Sequence, residues 1–329
     1  MRIAPGRLPS DPSERHATLR DYFCDIDASA VDCGDAWELT LAWPADPERH
    51  VDPTLAAGLA WWGDGVRYET MFAAQRRSGK ILRCLYDSWT LASWSEWMTR
   101  QPEADQQPVI LHVDDHRDLG SPRLRVGADG WSDMISGDPV TLLDPISVTN
   151  AITSGAIGMG SFMTPFLHRF PQCEVRHLCQ PPKARSTEIF RFKPDVVSDS
   201  LLDPLASRPS MILRDSEQRT GPSTYLLTAS LDDWLTDTQD RPLLLHIDLD
   251  YFNNRYDGDS DWALHASPLD PPRDAIMARI DDLMSVLTKP DIAARIDDVV
   301  IAFSPGFFPA EFWQEADRRL VDGLGLSDG

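Results

Sequence analysis

Val109-Ile-Leu-His-Val-Asp-Asp-His-Arg-Asp118 is an apolar run of strand length that ends in three acids and a histidine. Leu243-Leu-Leu-His-Ile-Asp-Leu-Asp250 repeats the arrangement later in the chain. Continuous apolar runs suit strands buried on both faces, and Ile81–Tyr86, Pro108–Val113, Glu174–Leu178, Tyr225–Thr228, Pro242–Ile247 and Asp298–Phe303 all read this way. Helical patterns lie between them, most clearly at Thr90–Thr99, Asp274–Leu287 and Pro309–Leu324. The alternation predicts an α/β fold with a mostly parallel central sheet covered on both faces. In such sheets function collects at the carboxyl edge.

Asp114, His116 and Asp118 are separated by one residue each, so the three side chains can converge. Buried together they would repel one another unless a cation neutralised them. Asp248 and Asp250 form a second, similar pair. Either cluster alone carries little weight, because an acid at a strand end is usually a cap or a turn residue. Two such clusters, each ending an apolar strand, make a divalent metal the economical explanation. His112 and His246, penultimate in their strands, read as core or supporting groups rather than ligands, and His265 as a surface loop residue.

Asp and Glu number 52 against 31 for Lys and Arg, a formal charge of −21 that disfavours nucleic acid and anionic membrane surfaces. The same field favours a cationic substrate, although solubility alone accounts for acidity equally well. Neither a signal-peptide core nor a bilayer-spanning segment is present in the sequence, so a cytoplasmic protein is expected. Five scattered cysteines without a CxxC pair suit reduced thiols. The segment from Asp115 to Asp144 is among the least patterned. Residues 1–80 match no pattern and are expected to decorate a catalytic domain spanning 81–329; the oligomeric state is not legible.

The run from Asp114 to Asp118 resembles the DxHxD motif of arginases, and Asp248-Leu-Asp250 resembles their later DxD. Three longer phrases resemble the peptide arginases, which convert arginine to ornithine in ribosomally made peptides. They are Gly155 to Phe162, His246 to Asn254 with Gly258 to Trp262, and Ser304 to Pro309. The resemblance implies a three-layer α/β/α arginase/deacetylase-like fold and two metal ions. Asp114 and Asp248 would bridge the ions, Asp118 would serve the first, and His116 with Asp250 the second. Such oxygen-rich ligation favours Mn²⁺. Two ions in this arrangement acidify a water held between them, and the resulting hydroxide would attack the guanidinium carbon. Catalytic weight then falls on Asp118, placed to protonate the departing nitrogen, and on His116 beside it. The implied partner is an arginine-containing peptide.

The chain also departs from the arginase pattern. Where the first ion's histidine is expected, Tyr86-Asp-Ser-Trp-Thr90 places Trp89, leaving Asp87 or a water to fill the position. Gly120 stands where arginases carry the asparagine that reads a free amino acid, which suits a substrate with a blocked α-carbon. Ile301-Ala-Phe-Ser-Pro305 lacks the acid that pairs with guanidinium; Asp115, Asp257, Asp259, Asp261 and Glu311 are candidates for that role. Asn253 and Asn254 could bind substrate or simply form a turn. Gly155 could admit a peptide backbone or a packing neighbour. The alternatives are a small-molecule amidinohydrolase, a deacetylase, or a non-catalytic binding protein that kept the scaffold.

Overall fold

A computed structural model describes residues 1–102, 107–128, 130–238, 240–258, 261–264 and 269–325. Asp259 and His265 lie outside them. The chain opens with a small antiparallel sheet of β1 (Arg2–Ile3), β2 (Asp27–Asp32) and β3 (Trp37–Ala42), with α1 (Pro12–Phe23) between its first two strands. α1 begins where Asp11 accepts from the Ser13 and Glu14 amides and Pro12 takes the first helical position. α2 (Leu55–Trp62), β4 (Gln75–Ser78), β5 (Ile81–Cys84), α3 (Trp89–Arg100) and β6 (Val109–Val113) follow. A second small sheet, β7 (Leu124–Gly127), β8 (Gly130–Asp133) and β9 (Pro139–Val140), precedes α4 (Pro145–Thr153), α5 (Met163–Arg169) and β10 (Glu174–Leu178). The long hairpin of β11 (Glu188–Ser198) and β12 (Ser207–Asp215) leads to β13 (Thr224–Thr228), α6 (Leu231–Leu235) and β14 (Leu243–Asp248). α7 (Arg273–Leu287), α8 (Pro290–Ala293), β15 (Ile296–Ala302) and α9 (Trp313–Gly323) complete the chain.

Nine strands form the central sheet, in the order β12-β11-β13-β10-β6-β14-β15-β5-β4. From β13 to β5 neighbouring strands run parallel, and the antiparallel pairs β4–β5 and β11–β12 finish the two sides. Every residue of β6, β10, β13 and β14 is buried, so both faces of the centre are covered. β6 and β14 therefore run largely apolar without alternating, whereas β10 buries Glu174 and Arg176 as an ion pair. α3 stacks Trp94 and Trp97 into this core, both almost wholly enclosed. No helix among the described residues is long and apolar enough to cross a membrane.

Two boundaries differ from expectation. The central sheet does not begin at Ile81, because β4 precedes it and Leu55, Leu59, Trp62 and Met71 belong to the main core. Only the first forty or so residues form a separate unit, whose small core joins Leu19, Phe23, Ile26, Trp37 and Leu39 to Leu201 from the hairpin turn. The poorly patterned stretch after Asp115 contains β7, β8 and β9, two- to four-residue strands too short to show a period.

Candidate metal centre

β6 and β14 are parallel neighbours whose register pairs His112 with His246 and Val113 with Ile247. Their acidic ends therefore leave the sheet side by side at its carboxyl edge. Alternation along β6 puts His112 on the side of Asp114, and alternation along β14 does the same for His246 and Asp248.

The result is a buried group of His112, Asp114, Asp118 and His246 that could hold a metal ion, their ligand atoms all within 4.8 Å of one another. His112 Nε2 lies 3.7 Å from Asp114 Oδ2 and 3.6 Å from Asp118 Oδ2. His246 Nε2 lies 3.4 Å and 4.0 Å from the same two oxygens. Asp114 Oδ2, Asp118 Oδ2 and His246 Nε2 are buried without a hydrogen-bond partner among the described residues. Facing carboxylate oxygens need a shared proton or a cation between them, so this donor set fits a metal. His246 is thus a candidate ligand and not merely a core group, and His112 joins the cluster although its Nε2 also meets His116 O at 3.0 Å. β-strand alternation was the signal that could have identified them.

His116 belongs to two further groups, one with Asp114 and Asp250 and one with Asp115 and Asp257. Its Nδ1 is 2.9 Å from Asp250 Oδ2 and its Nε2 is 3.2 Å from Asp257 Oδ1. The Asp115 amide donates to Asp250 Oδ1 at 3.1 Å. Asp248 lies outside all three groups. Its Oδ1 accepts from the Asp250 amide at 3.0 Å and its Oδ2 from Ser304 Oγ at 2.5 Å.

The electrostatics follow from crowding acids in a dry place. Burial, then Asp250, pushes Asp114 up to about 7. Burial followed by Asp114 raises Asp118 well above the carboxylate range, and burial followed by Asp250 does the same to Asp248. Burial would lower His116, but Asp250, Asp114 and Asp257 outweigh it and raise its pKa. His246, desolvated with little compensation, falls to about 3. A divalent cation would reverse the pressure on the acids.

The group opens on a cavity of about 460 Å³, within the range of small-ligand sites. Asp25, Asp87, Asp118, Asp248, Asp250 and His116 line it. Asp87, at the position sequence reasoning considered for a missing ligand, has Oδ2 on the Gly160 amide at 2.8 Å and Oδ1 buried without a partner. Burial first and the charge of Asp118 second raise its pKa. Trp89 is buried and donates to Phe72 O, which removes it from the cavity wall. Gly120 lines the cavity, and a Cβ there would stand 2.7 Å from Gly160 O, which leaves no room for a side chain.

The proposed substrate residues fall into two sets. Asp115 is taken by Lys183, 2.6 Å away, and by Asn254, which also donates to Asp257. Asn253 donates to Asp270 at 3.1 Å. Asp115, Lys183, Asn254 and Asp257 build the rim beside His116, and Lys183 was missed because a lone lysine in a loop has no signature. Gly155, in contrast, is buried against Ile26 at positive φ and does not line the cavity, so close packing is its role. Glu311 is tied to Arg255 at 2.9 Å, and Asp261 is exposed; neither lines the cavity. All five cysteines are free. The chain matches no protein-family model and no curated protein.

Proposed function

We propose that the protein is a Mn²⁺-dependent hydrolase with a three-layer α/β/α arginase-like architecture, converting arginine side chains of a ribosomally made peptide to ornithine and urea. The observation that carries this reading is the set of unpartnered carboxylate and imidazole atoms at two adjacent strand ends, opening on an acid-lined cavity. Acid-lined walls suit a cationic side chain, and a net charge of −21 draws in a basic peptide segment.

When bound, a metal pair supplies a water acidic enough to serve as a nucleophile at neutral pH. The chain's own groups do the rest. Water adds at the guanidinium carbon, the bond from that carbon to the side-chain nitrogen breaks, and a proton passes to the departing nitrogen, leaving urea and an ornithine amine. Asp118, which lines the cavity beside the site, is the group placed to carry this proton to the departing nitrogen. His116, bridging Asp250 and Asp257, fixes the geometry of the rim.

A second reading rests on the compactness of the group made by His112, Asp114, Asp118 and His246. Two imidazoles with two carboxylates suit a single tetrahedral ion such as zinc, as a deacetylase-type hydrolase would use. Metal analysis of the purified protein and mass spectrometry of an arginine peptide incubated with it and Mn²⁺ decide between the two. Two ions per chain and a loss of about 42 Da per arginine are expected for the ureohydrolase step. An unchanged arginine peptide on fully metal-loaded protein rejects the proposal, and a single bound zinc ion transfers the weight to the second reading.

A further inference from the structure

The N-terminal unit supplies part of the cavity wall through two residues, Cys24 and Asp25, of which Asp25 is the acid. Only 5% of Asp25 is exposed. Its Oδ2 accepts from the Met159 amide at 2.6 Å, and its Oδ1 has no hydrogen-bond partner among the described residues. Unlike the orphan oxygens of Asp87, Asp114 and Asp118, this one is not sealed inside the protein.

The segment bearing Asp25 is anchored on both sides by arginines that hold main-chain carbonyls. Arg123 donates to Tyr22 O at 2.9 Å and to Gly155 O at 2.9 Å. Arg49 donates to Cys24 O and, at 3.1 Å, to Ile26 O. Neither guanidinium is hydrogen-bonded to Asp25, so its carboxylate has no counter-ion in direct contact. A Cβ at Gly158 would stand 2.2 Å from Asp25 Oδ2, which means the carboxylate can seat only against bare backbone. Arg123 and Arg49 lie close enough to favour its charged form without bonding to it, so a rigidly held carboxylate beside the centre keeps an acceptor for a cation. Ile301 to Pro305 carries no acid, and Ser304 there is committed to Asp248. The forked carboxylate partner that a guanidinium wants must come from elsewhere.

We infer that Asp25 is the carboxylate that binds the substrate's cationic side chain, so that the N-terminal unit reads substrate charge while the ends of β6 and β14 carry the chemistry. This assignment rests on the reading that the side chain is a guanidinium. Burial raises Asp25 to about 6, which leaves it ionised at neutral pH.

The test uses the metal-loaded full chain and two probes, N-acetyl-arginine amide and its neutral isostere N-acetyl-citrulline amide, titrated by calorimetry. Wild type is expected to prefer the cation by at least about thirtyfold, the size of one charge-assisted contact. Asp25→Asn keeps an acceptor for the Met159 amide and should bring the preference below about threefold, with metal content and melting temperature unchanged. Asp25→Glu should restore part of it. Asp25→Ser, smaller and still an acceptor, replaces the Asn variant if that one fails to fold. Wild-type preference in folded Asp25→Asn or Asp25→Ser overturns the assignment and leaves the ureohydrolase reading standing. No preference in wild type overturns both. An Asp25-dependent preference without urea release upholds the assignment and removes the ureohydrolase reading.

Discussion

His246 Nε2 and Asp114 Oδ2 lie 3.4 Å apart in the core, and neither atom is hydrogen-bonded within the described residues. On its other side, His246 Nδ1 meets Thr90 Oγ1 at 3.0 Å. With Nδ1–H donated to that hydroxyl, Nε2 presents a lone pair to a carboxylate lone pair. A hydrogen-bonded outer nitrogen and a bare inner one is the usual dress of a metal-bound imidazole.

A metal-dependent stability follows from this. Chelation should lower the melting temperature and added Mn²⁺ should restore it, by about 2.7 kcal/mol when the ion is present at a hundredfold its dissociation constant. His246→Ala should abolish most of that shift. A melting curve indifferent to both chelator and metal would show that these atoms do not hold an ion.

His50 provides a pH dependence that can be separated from the metal. Its Nδ1 faces Pro305 O at 3.1 Å and must donate, so its Nε2 accepts from Tyr86 O–H at 3.0 Å. Burial lowers its pKa from 6.5 to about 4. Above 6.5 both folded and unfolded states hold a neutral ring and nothing is lost. Between 6.5 and 4 the unfolded chain binds a proton that the folded one refuses, so stability falls as pH falls. The full loss is at most about 3 kcal/mol. Denaturation of wild type and His50→Gln across this window should show the wild type losing more. Parallel curves would refute the shift.

Gly58 tests the extended boundary of the main body. A Cβ there would stand 2.6 Å from the Ala310 Cβ and 3.0 Å from the Trp313 ring, linking α2 directly to the C-terminal helix. Gly58→Ala should destabilise the whole protein in one transition, by about 1–3 kcal/mol, the cost of overpacking. Urea unfolding measures it. An unaltered midpoint would mean that α2 is only loosely attached.

The central strands were legible because burial on both faces leaves a continuous apolar run, as in β6 and β14. The hairpin β11–β12 was not legible. Only two of its twenty strand residues are fully buried, and Pro194 and Pro209 fall within the strands, which a single sequence reads as strand breakers. Here they are tolerated on the hairpin that ends the sheet. The acids of the centre announced themselves by spacing. His112 and His246 were set aside because an imidazole in an apolar run usually belongs to the core. Asp25 could not be foreseen, since it follows the cap of a helix with weak amphipathic character and reaches the cavity only through tertiary contact with the Gly158–Met159 backbone.

The small N-terminal core is closed by Leu201, and Tyr22 O–H donates to Asp199 Oδ2 at 2.6 Å. This core therefore cannot finish folding until the chain has been synthesised past the hairpin turn. In a vectorially synthesised protein, where amino-terminal parts ordinarily fold first, this order is inverted. The wall that bears Asp25 sets only after much of the sheet it leans on has been made.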